Sequence, residues 1–217
     1  YGYMPKLNTA NPEVQAYIYN VMVFWLNEYH IDGWRLDVAD EIDPSLWTRI
    51  RYRIKSAYPD CLLLGETWGD GFSLLDEKSV DSIMNYVFRD SVRDFLARGS
   101  IDAKMFNHRI CQMRSHYPEE IRQALFQPLD SHDTERFLWN CSGDIRRLKL
   151  AALFQLCFPG APSIYYGDEI GLNGDNDPDC RRCMEWNPAK QNADVLSFYK
   201  KIIRIRKKNP CLRTGNI

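Results

Sequence analysis

Three short apolar runs of this 217-residue chain are each followed by a carboxylate motif, and that repetition constrains its architecture more than any other feature. Asp32-Gly-Trp-Arg-Leu-Asp closes at Asp37, Leu62-Leu-Leu-Gly-Glu at Glu66, and Leu129-Asp-Ser-His-Asp at Asp133. Each run reads as a buried strand. Side chains that follow successive parallel strands converge on one rim, and paired carboxylates on such a rim suit glycosidic-bond cleavage.

The stretches between these runs carry helical spacing. Asn11 and Pro12 open a helix to Tyr29 with an apolar stripe through Val14, Ile18, Val21 and Leu26, and Asp43-Pro44 opens another to Ala57. Strands are expected at 31–38, 61–65, 82–86, 123–129 and 163–166, with Pro128 at the irregular end of its strand. Further helices are expected at 89–97, 102–115, 144–158 and 193–208. Alternating strands and helices imply parallel βα units. A doubly wound sheet gathers its site at one switch point, whereas a barrel draws catalytic groups from several strands, which fits Asp37, Glu66 and Asp133 better. Five strands do not close an eight-stranded barrel, so the chain is expected to be a piece of a larger enzyme.

Charge excludes some partners. Lys plus Arg number 28 against 29 for Asp plus Glu, so no overall field recruits nucleic acid or anionic lipid. The basic run from Lys200 to Lys208 complements a helix C-terminus. No segment is long and apolar enough to span a bilayer, and the start lacks the pattern of a signal peptide. Seven scattered cysteines, with Cys61 and Cys157 in apolar runs, favour a reducing, cytoplasmic setting. Cys180 and Cys183 form one isolated Cys-x-x-Cys pair without the two further ligands zinc would need; a local structural role, including a disulfide, is the simpler reading. The acids between Asp175 and Asp179 read as a solvated loop in preference to a calcium site.

Asp37 follows a strand and lies two residues beyond Arg35, on the same face. The guanidinium could hold Asp37 ionised and oriented for attack at a sugar carbon, although a strand-end ion pair would place the same residues there. Glu66 lies between Gly65 and Thr67-Trp68. Partial desolvation beside an aromatic raises a carboxyl pKa and suits it to protonate a leaving oxygen, while Trp68 could stack on a sugar face. His132 could bind sugar hydroxyls and Asp133 stabilise an oxocarbenium-like centre. A helix N-cap would explain Asp133 taken alone, because Thr-Glu-Arg follows; the three motifs together favour a site.

With Asp32-Gly-Trp-Arg-Leu-Asp-Val-Ala-Asp-Glu41, Gly65-Glu-Thr-Trp68 and Leu129-Asp-Ser-His-Asp133, the chain resembles the alpha-amylase family of retaining glycoside hydrolases over essentially its whole length. Lys6-Leu-Asn-Thr-Ala-Asn-Pro12, Tyr165-Tyr-Gly-Asp-Glu-Ile-Gly-Leu172 and Asn176-Asp-Pro-Asp-Cys-Arg-Arg-Cys-Met184 resemble its neopullulanase, cyclomaltodextrinase and maltogenic amylase subgroup. The resemblance implies an α/β fold: the C-terminal part of a (β/α)8 barrel, roughly strands 4 to 8 with their helices, the first strands absent, over residues 1–217. It implies Asp37 as nucleophile, Glu66 as general acid/base and Asp133 as the transition-state-stabilising aspartate. Arg35, His132, Trp68 and Glu41 are then substrate-site residues. Asp40 departs from the Asn usual in the subgroup, on the acceptor side of the cleft.

The implied activity of the complete enzyme is retaining hydrolysis, or transglycosylation, of alpha-glucosidic bonds in cyclomaltodextrins, pullulan or starch. Its partner would be an alpha-glucan oligosaccharide or cyclomaltodextrin, and the full-length protein would form a homodimer. No cofactor is required for the chemistry. The resemblance leaves calcium open for the complete enzyme, whose inserted domain often supplies its ligands and is expected to be absent here except for an exit near Tyr1. The fragment alone is expected to be inactive. Two alternatives remain at this point: another barrel hydrolase or isomerase on the same carboxylate scaffold, or a non-catalytic carbohydrate-binding or regulatory fragment.

Overall fold

In the computed structural model, residues 5–76 and 78–214 are described; the segment at Tyr1 lies outside them. The chain divides into two compact units, residues 1–84 and 85–217.

The first unit opens with α1 (Pro12–Tyr29), where the Asn11 side chain caps the amide of Glu13 and His30 ends the helix in the left-handed region. Only Met22 and Leu26 of α1 are fully buried, so the expected stripe through Val14, Ile18 and Val21 is half-covered. Strand β1 (Gly33–Leu36) is shorter than the expected 31–38. Gly33 is required there: a Cβ would fall 2.7 Å from Leu62 Cβ on the neighbouring strand. Helix α2 (Pro44–Ala57) is capped by Asp43 and buries Leu46, Trp47, Ile50 and Ile54, the spacing of one helical face. Strand β2 (Leu62–Gly65), the single turn α3 (Phe72–Asp76) and β3 (Ser82–Ile83) complete the unit. The three strands form a parallel sheet in the order β1-β2-β3, with Gly33 opposite Leu62 and Leu36 opposite Gly65. Leu63, Leu74, Ile54 and Ile83 are wholly buried, each contributing about 2 kcal/mol of apolar burial.

In the second unit, the helix expected at 89–97 begins earlier, as α4 (Tyr86–Val92), because Asn85 caps the amide of Phe88. This start cuts β3 short of the expected 82–86. A wider π-type turn, Arg93–Ala97, continues α4 and is followed by α5 (Ala103–His116). The segment 123–129, read as one strand, divides into the end of α6 (Glu119–Ala124) and β4 (Phe126–Pro128). Pro128 occupies the last position of β4, opposite Ser163 of β5 (Ala161–Ser163), where its missing N–H is tolerated. Between β4 and β5 run α7 (Phe137–Asn140) and α8 (Ile145–Cys157). Gln155 of α8 donates to the carbonyls of Gln127 and Ser163, both at 2.7 Å, joining helix and both strands. Phe88, Phe106, Phe154 and Phe158 form an aromatic core with ring centroids 5.1–5.8 Å apart. Helix α9 (Ala193–Lys208) is anchored by buried Arg206, whose guanidinium donates to the carbonyls of Leu156, Phe158, Gly160 and Leu212.

Candidate active site

The first unit assembles its polar cluster where β1 and β2 end. Alternation along β1 puts Arg35 on the face to which Asp37 also turns. The Arg35 guanidinium binds Asp37 through Nη1 and Glu66 Oε1 through Nη2, the latter at 2.5 Å. The sequence foresaw the first contact only; the second depends on β1–β2 pairing, which brings Leu36 beside Gly65.

The two carboxyl groups differ sharply in environment. The Asp37 side chain is 73% exposed, whereas that of Glu66 is 3% exposed. Burial pushes the Glu66 carboxyl above its usual pKa. The Val38 amide and Arg35 oppose that rise, while the charge of Asp37 and a hydrogen bond to it add to the rise. A buried carboxyl with a raised pKa beside an exposed one is the difference in environment that general-acid and nucleophilic roles need.

Glu66 is fastened along its length. Its N–H donates to Leu36 O at 2.9 Å, its carbonyl accepts the Ala39 N–H at 2.9 Å, and its Oε2 accepts the Val38 N–H at 2.9 Å. Val38 reaches that position at φ 44° and ψ 46°, in the left-handed region, which costs a β-branched residue roughly 1–3 kcal/mol. Beyond Glu66, Thr67 donates its hydroxyl to Asp40 at 2.6 Å and accepts the Gly69 N–H at 3.2 Å. Trp68 is half exposed. Glu41 is exposed and holds Lys6 through both its carbonyl and its carboxylate.

The second unit carries His132 and Asp133 in the turn that follows β4. Helix α7 takes its cap from Asp130, whose Oδ2 accepts the Phe137 N–H at 2.6 Å, so the capping reading of Asp133 does not hold. Asp133 Oδ2 lies 3.0 Å from His132 Nε2, and its Oδ1 lies 3.1 Å from Arg181 Nη2. Arg181 Nε also donates to the His132 carbonyl at 3.0 Å, and Arg181 pairs with Asp177 at 2.6 Å. Sequence reading noticed Arg181 only as a member of Cys-x-x-Cys; its spacing of four from Asp177 was the available signal.

Beneath that turn lies a buried set with no sequence forecast. Arg136 is wholly buried, donating to the carbonyls of Cys180 and Tyr166 and pairing with Asp168 at 3.3 Å. Burial pushes both Asp130 and Asp168 upward, Asp168 well above the carboxylate range, and the charge of Asp130 adds to the rise at Asp168 while Arg136 opposes it.

All seven cysteines are free; Cys180 is buried, Cys183 exposed, and Cys157 only half-buried. Among the described residues, no three His, Cys, Asp or Glu side chains gather into a metal-binding group. In the 175–179 loop, Asp177 pairs with Arg181 and Asp179 with Arg182, while Asp175 accepts from Asn176, so two of its three carboxylates are answered by arginines. None of the described helices is long and apolar enough to cross a membrane.

Parallel strands followed by helices, with two carboxyl groups fastened at the strand ends, form an α/β domain of the kind that carries carboxylate chemistry at one strand-end rim. The chain belongs to the alpha-amylase family of glycoside hydrolases: the alpha amylase catalytic domain matches residues 1–193. It is 49% identical over 214 residues to neopullulanase 2 of Thermoactinomyces vulgaris, covering 99% of this chain and 36% of that protein. It is 48% identical to a cyclomaltodextrinase of Thermoanaerobacter pseudethanolicus, over 98% of this chain and 37% of that protein. Among solved structures, a cyclomaltodextrinase superposes with a TM-score of 0.95 at 44% identity, over 97% of this chain and 36% of that one. A cyclic alpha-maltosyl-(1→6)-maltose hydrolase of Arthrobacter globiformis, in complex with that sugar, superposes at 0.94 and 35% identity, over 98% of this chain and 48% of that one. The chain thus spans little more than a third of the length of the curated relatives described.

Proposed function

We propose that the complete protein hydrolyses alpha-glucosidic bonds of cyclomaltodextrins, pullulan or starch with retention of configuration, and that residues 1–217 are the C-terminal part of its (β/α)8 barrel, strands 4 to 8. The observation that carries this reading is the pairing of exposed Asp37 with buried Glu66, whose pKa burial raises, across one arginine. Both carboxyl groups contact the same guanidinium and so lie close together, which supports retention.

In the first step, an Asp37 oxygen attacks the anomeric carbon while Glu66 gives its proton to the departing glycosidic oxygen. The C–O bond breaks as the glycosyl–aspartate bond forms. Glu66, now ionised, takes a proton from water, which attacks the same carbon and releases the sugar with its alpha configuration. A sugar hydroxyl in place of water gives transglycosylation. Asp133 stabilises the oxocarbenium-like transition state. Arg35, His132, Trp68 and Glu41 contact the glucan, with half-exposed Trp68 suited to stack on a sugar face.

The chemistry requires no cofactor, and calcium, where the complete protein binds it, is held outside these residues. The complete protein works as a homodimer in the cytoplasm, in keeping with seven free cysteines and a relative named intracellular maltogenic amylase. Residues 1–217 by themselves are inactive.

The test is a product assay of full-length protein on cyclomaltodextrin, pullulan and starch, with the anomer followed by NMR. Retained alpha products are expected, with Glu66→Gln lowering kcat by about 10²–10⁴-fold and Asp37→Asn abolishing turnover. Beta products, or activity surviving Asp37→Asn, overturn the assignment. Binding of glucan without hydrolysis overturns the enzyme reading itself.

A further inference from the structure

We infer that Val38 is a positioning residue for Glu66, its peptide N–H held in a left-handed turn so that it aims at Glu66 Oε2. This rests on the role given to Glu66 above. The carboxyl of Glu66 is held at both oxygens, by Arg35 at Oε1 and by the Val38 N–H at Oε2, 2.5 and 2.9 Å away. Arg35 is shared with Asp37, so its guanidinium alone leaves the Glu66 carboxyl free to rotate about its last bond. The second contact removes that freedom.

The conformation that makes it is imposed by the surroundings. A β-branched residue avoids φ 44°, yet Val38 is clamped on its C-terminal side. The Ala39 N–H is spent on the Glu66 carbonyl at 2.9 Å, the Ala39 carbonyl accepts the buried Trp47 indole N–H at 2.9 Å, and the Glu41 N–H donates to the Val38 carbonyl at 3.0 Å. Ala39 itself is wholly buried. Helix α2 thereby holds, through Trp47, the turn that holds the acid. The same N–H favours the ionised carboxylate and restrains the rise that burial produces. Glu66 must be protonated in one step and ionised in the next, so a donor that trims its pKa serves both.

The test uses full-length protein in which Val38 is replaced by its α-hydroxy acid analogue, turning the peptide N–H into an ester oxygen with the side chain unchanged. Losing the donor destabilises ionised Glu66, so the basic limb of kcat/KM moves upward by about one pH unit. Val38→Gly keeps the N–H but frees the turn; kcat falls several-fold while the limb stays in place. An unmoved limb in the ester protein overturns the inference, as does an equal movement in both proteins, which would assign the effect to side-chain packing. If the ester protein does not fold, the Val38 amide resonance of valine-labelled wild-type protein decides. It is expected to shift with the ionisation of Glu66 and to lose that pH dependence in Glu66→Gln; a pH-independent resonance overturns the inference. Wild-type protein without hydrolytic activity on any of the three glucans would instead count against the proposed function, leaving the amide resonance to report on Val38 separately.

Discussion

Asp81→Asn should loosen the sheet that carries Glu66, by an amount that vanishes in acid. Asp81 precedes β3 and closes its ladder to β2 from both sides: its N–H donates to Leu63 O at 2.8 Å, and its Oδ2 accepts the Leu63 N–H at 2.8 Å. The carboxylate also holds Arg51 at 2.5 Å and Lys55 at 2.9 Å, both from α2. Two charge-assisted bonds at about 1.5–3 kcal/mol each and one backbone bond near 1 kcal/mol give a gross value of about 4–7 kcal/mol. The three side chains are 21–26% exposed, so the released cations regain water, and the net loss should be about 2–3 kcal/mol. Burial alone would raise the Asp81 pKa, but Lys55, the Leu63 amide and Arg51 outweigh it and hold the group below the ordinary 3.8. A depressed carboxyl contributes stability above its unfolded pKa and loses it as pH falls through the folded one. Hydrogen exchange of the peptide spanning residues 62–66 in full-length protein reads this directly. At pH 7 the variant should exchange about 30–150-fold faster than wild type, by 1.36 kcal/mol per tenfold. Below the depressed pKa of Asp81 the difference should close. Exchange within threefold of wild type at pH 7, or a difference undiminished in acid, would refute the reasoning.

Arg35→Met removes the cation shared by Asp37 and Glu66; with about 1.5–3 kcal/mol at stake per contact, kcat/KM on cyclomaltodextrin should fall by about 10²–10⁴-fold, and the basic limb of the pH profile should rise. Arg206→Met leaves four buried carbonyls short of a donor and should cost about 3 kcal/mol, read as faster hydrogen exchange in α8 and α9. Asp168→Asn replaces a carboxyl whose folded pKa is raised. Wild-type stability from that group is present at low pH and lost as pH rises through the folded value, so denaturant unfolding should show the variant gaining on wild type toward alkaline pH.

Much of this was legible along the chain because it is local. Asn11-Pro12, Asp43-Pro44 and Asp144 announce helix starts through their own capping chemistry, and α1, α2, α8 and α9 begin within a residue of expectation. Boundaries failed where a neighbour decides them. The run 123–129 divides between α6 and β4 because backbone pairing with β5 begins only at Phe126, and β3 stops at Ile83 because Asn85 caps a helix. The local pattern around Asp133 would also have suited a cap, but Asp130 takes that duty through a contact seven residues away.

The sequence alone determined the family and the main alternation of strands and helices, and singled out the carboxyl groups proposed for the chemistry, since motifs and capping signals act over a few residues. Tertiary structure decided what each carboxyl group is. Strand pairing set Glu66 in a buried niche and Asp37 in the open, gave one arginine to both, and turned the Val38 N–H onto Glu66. Proton affinity and orientation depend on burial and on partners far along the chain, such as Arg35 for Glu66, and no local pattern encodes those distances.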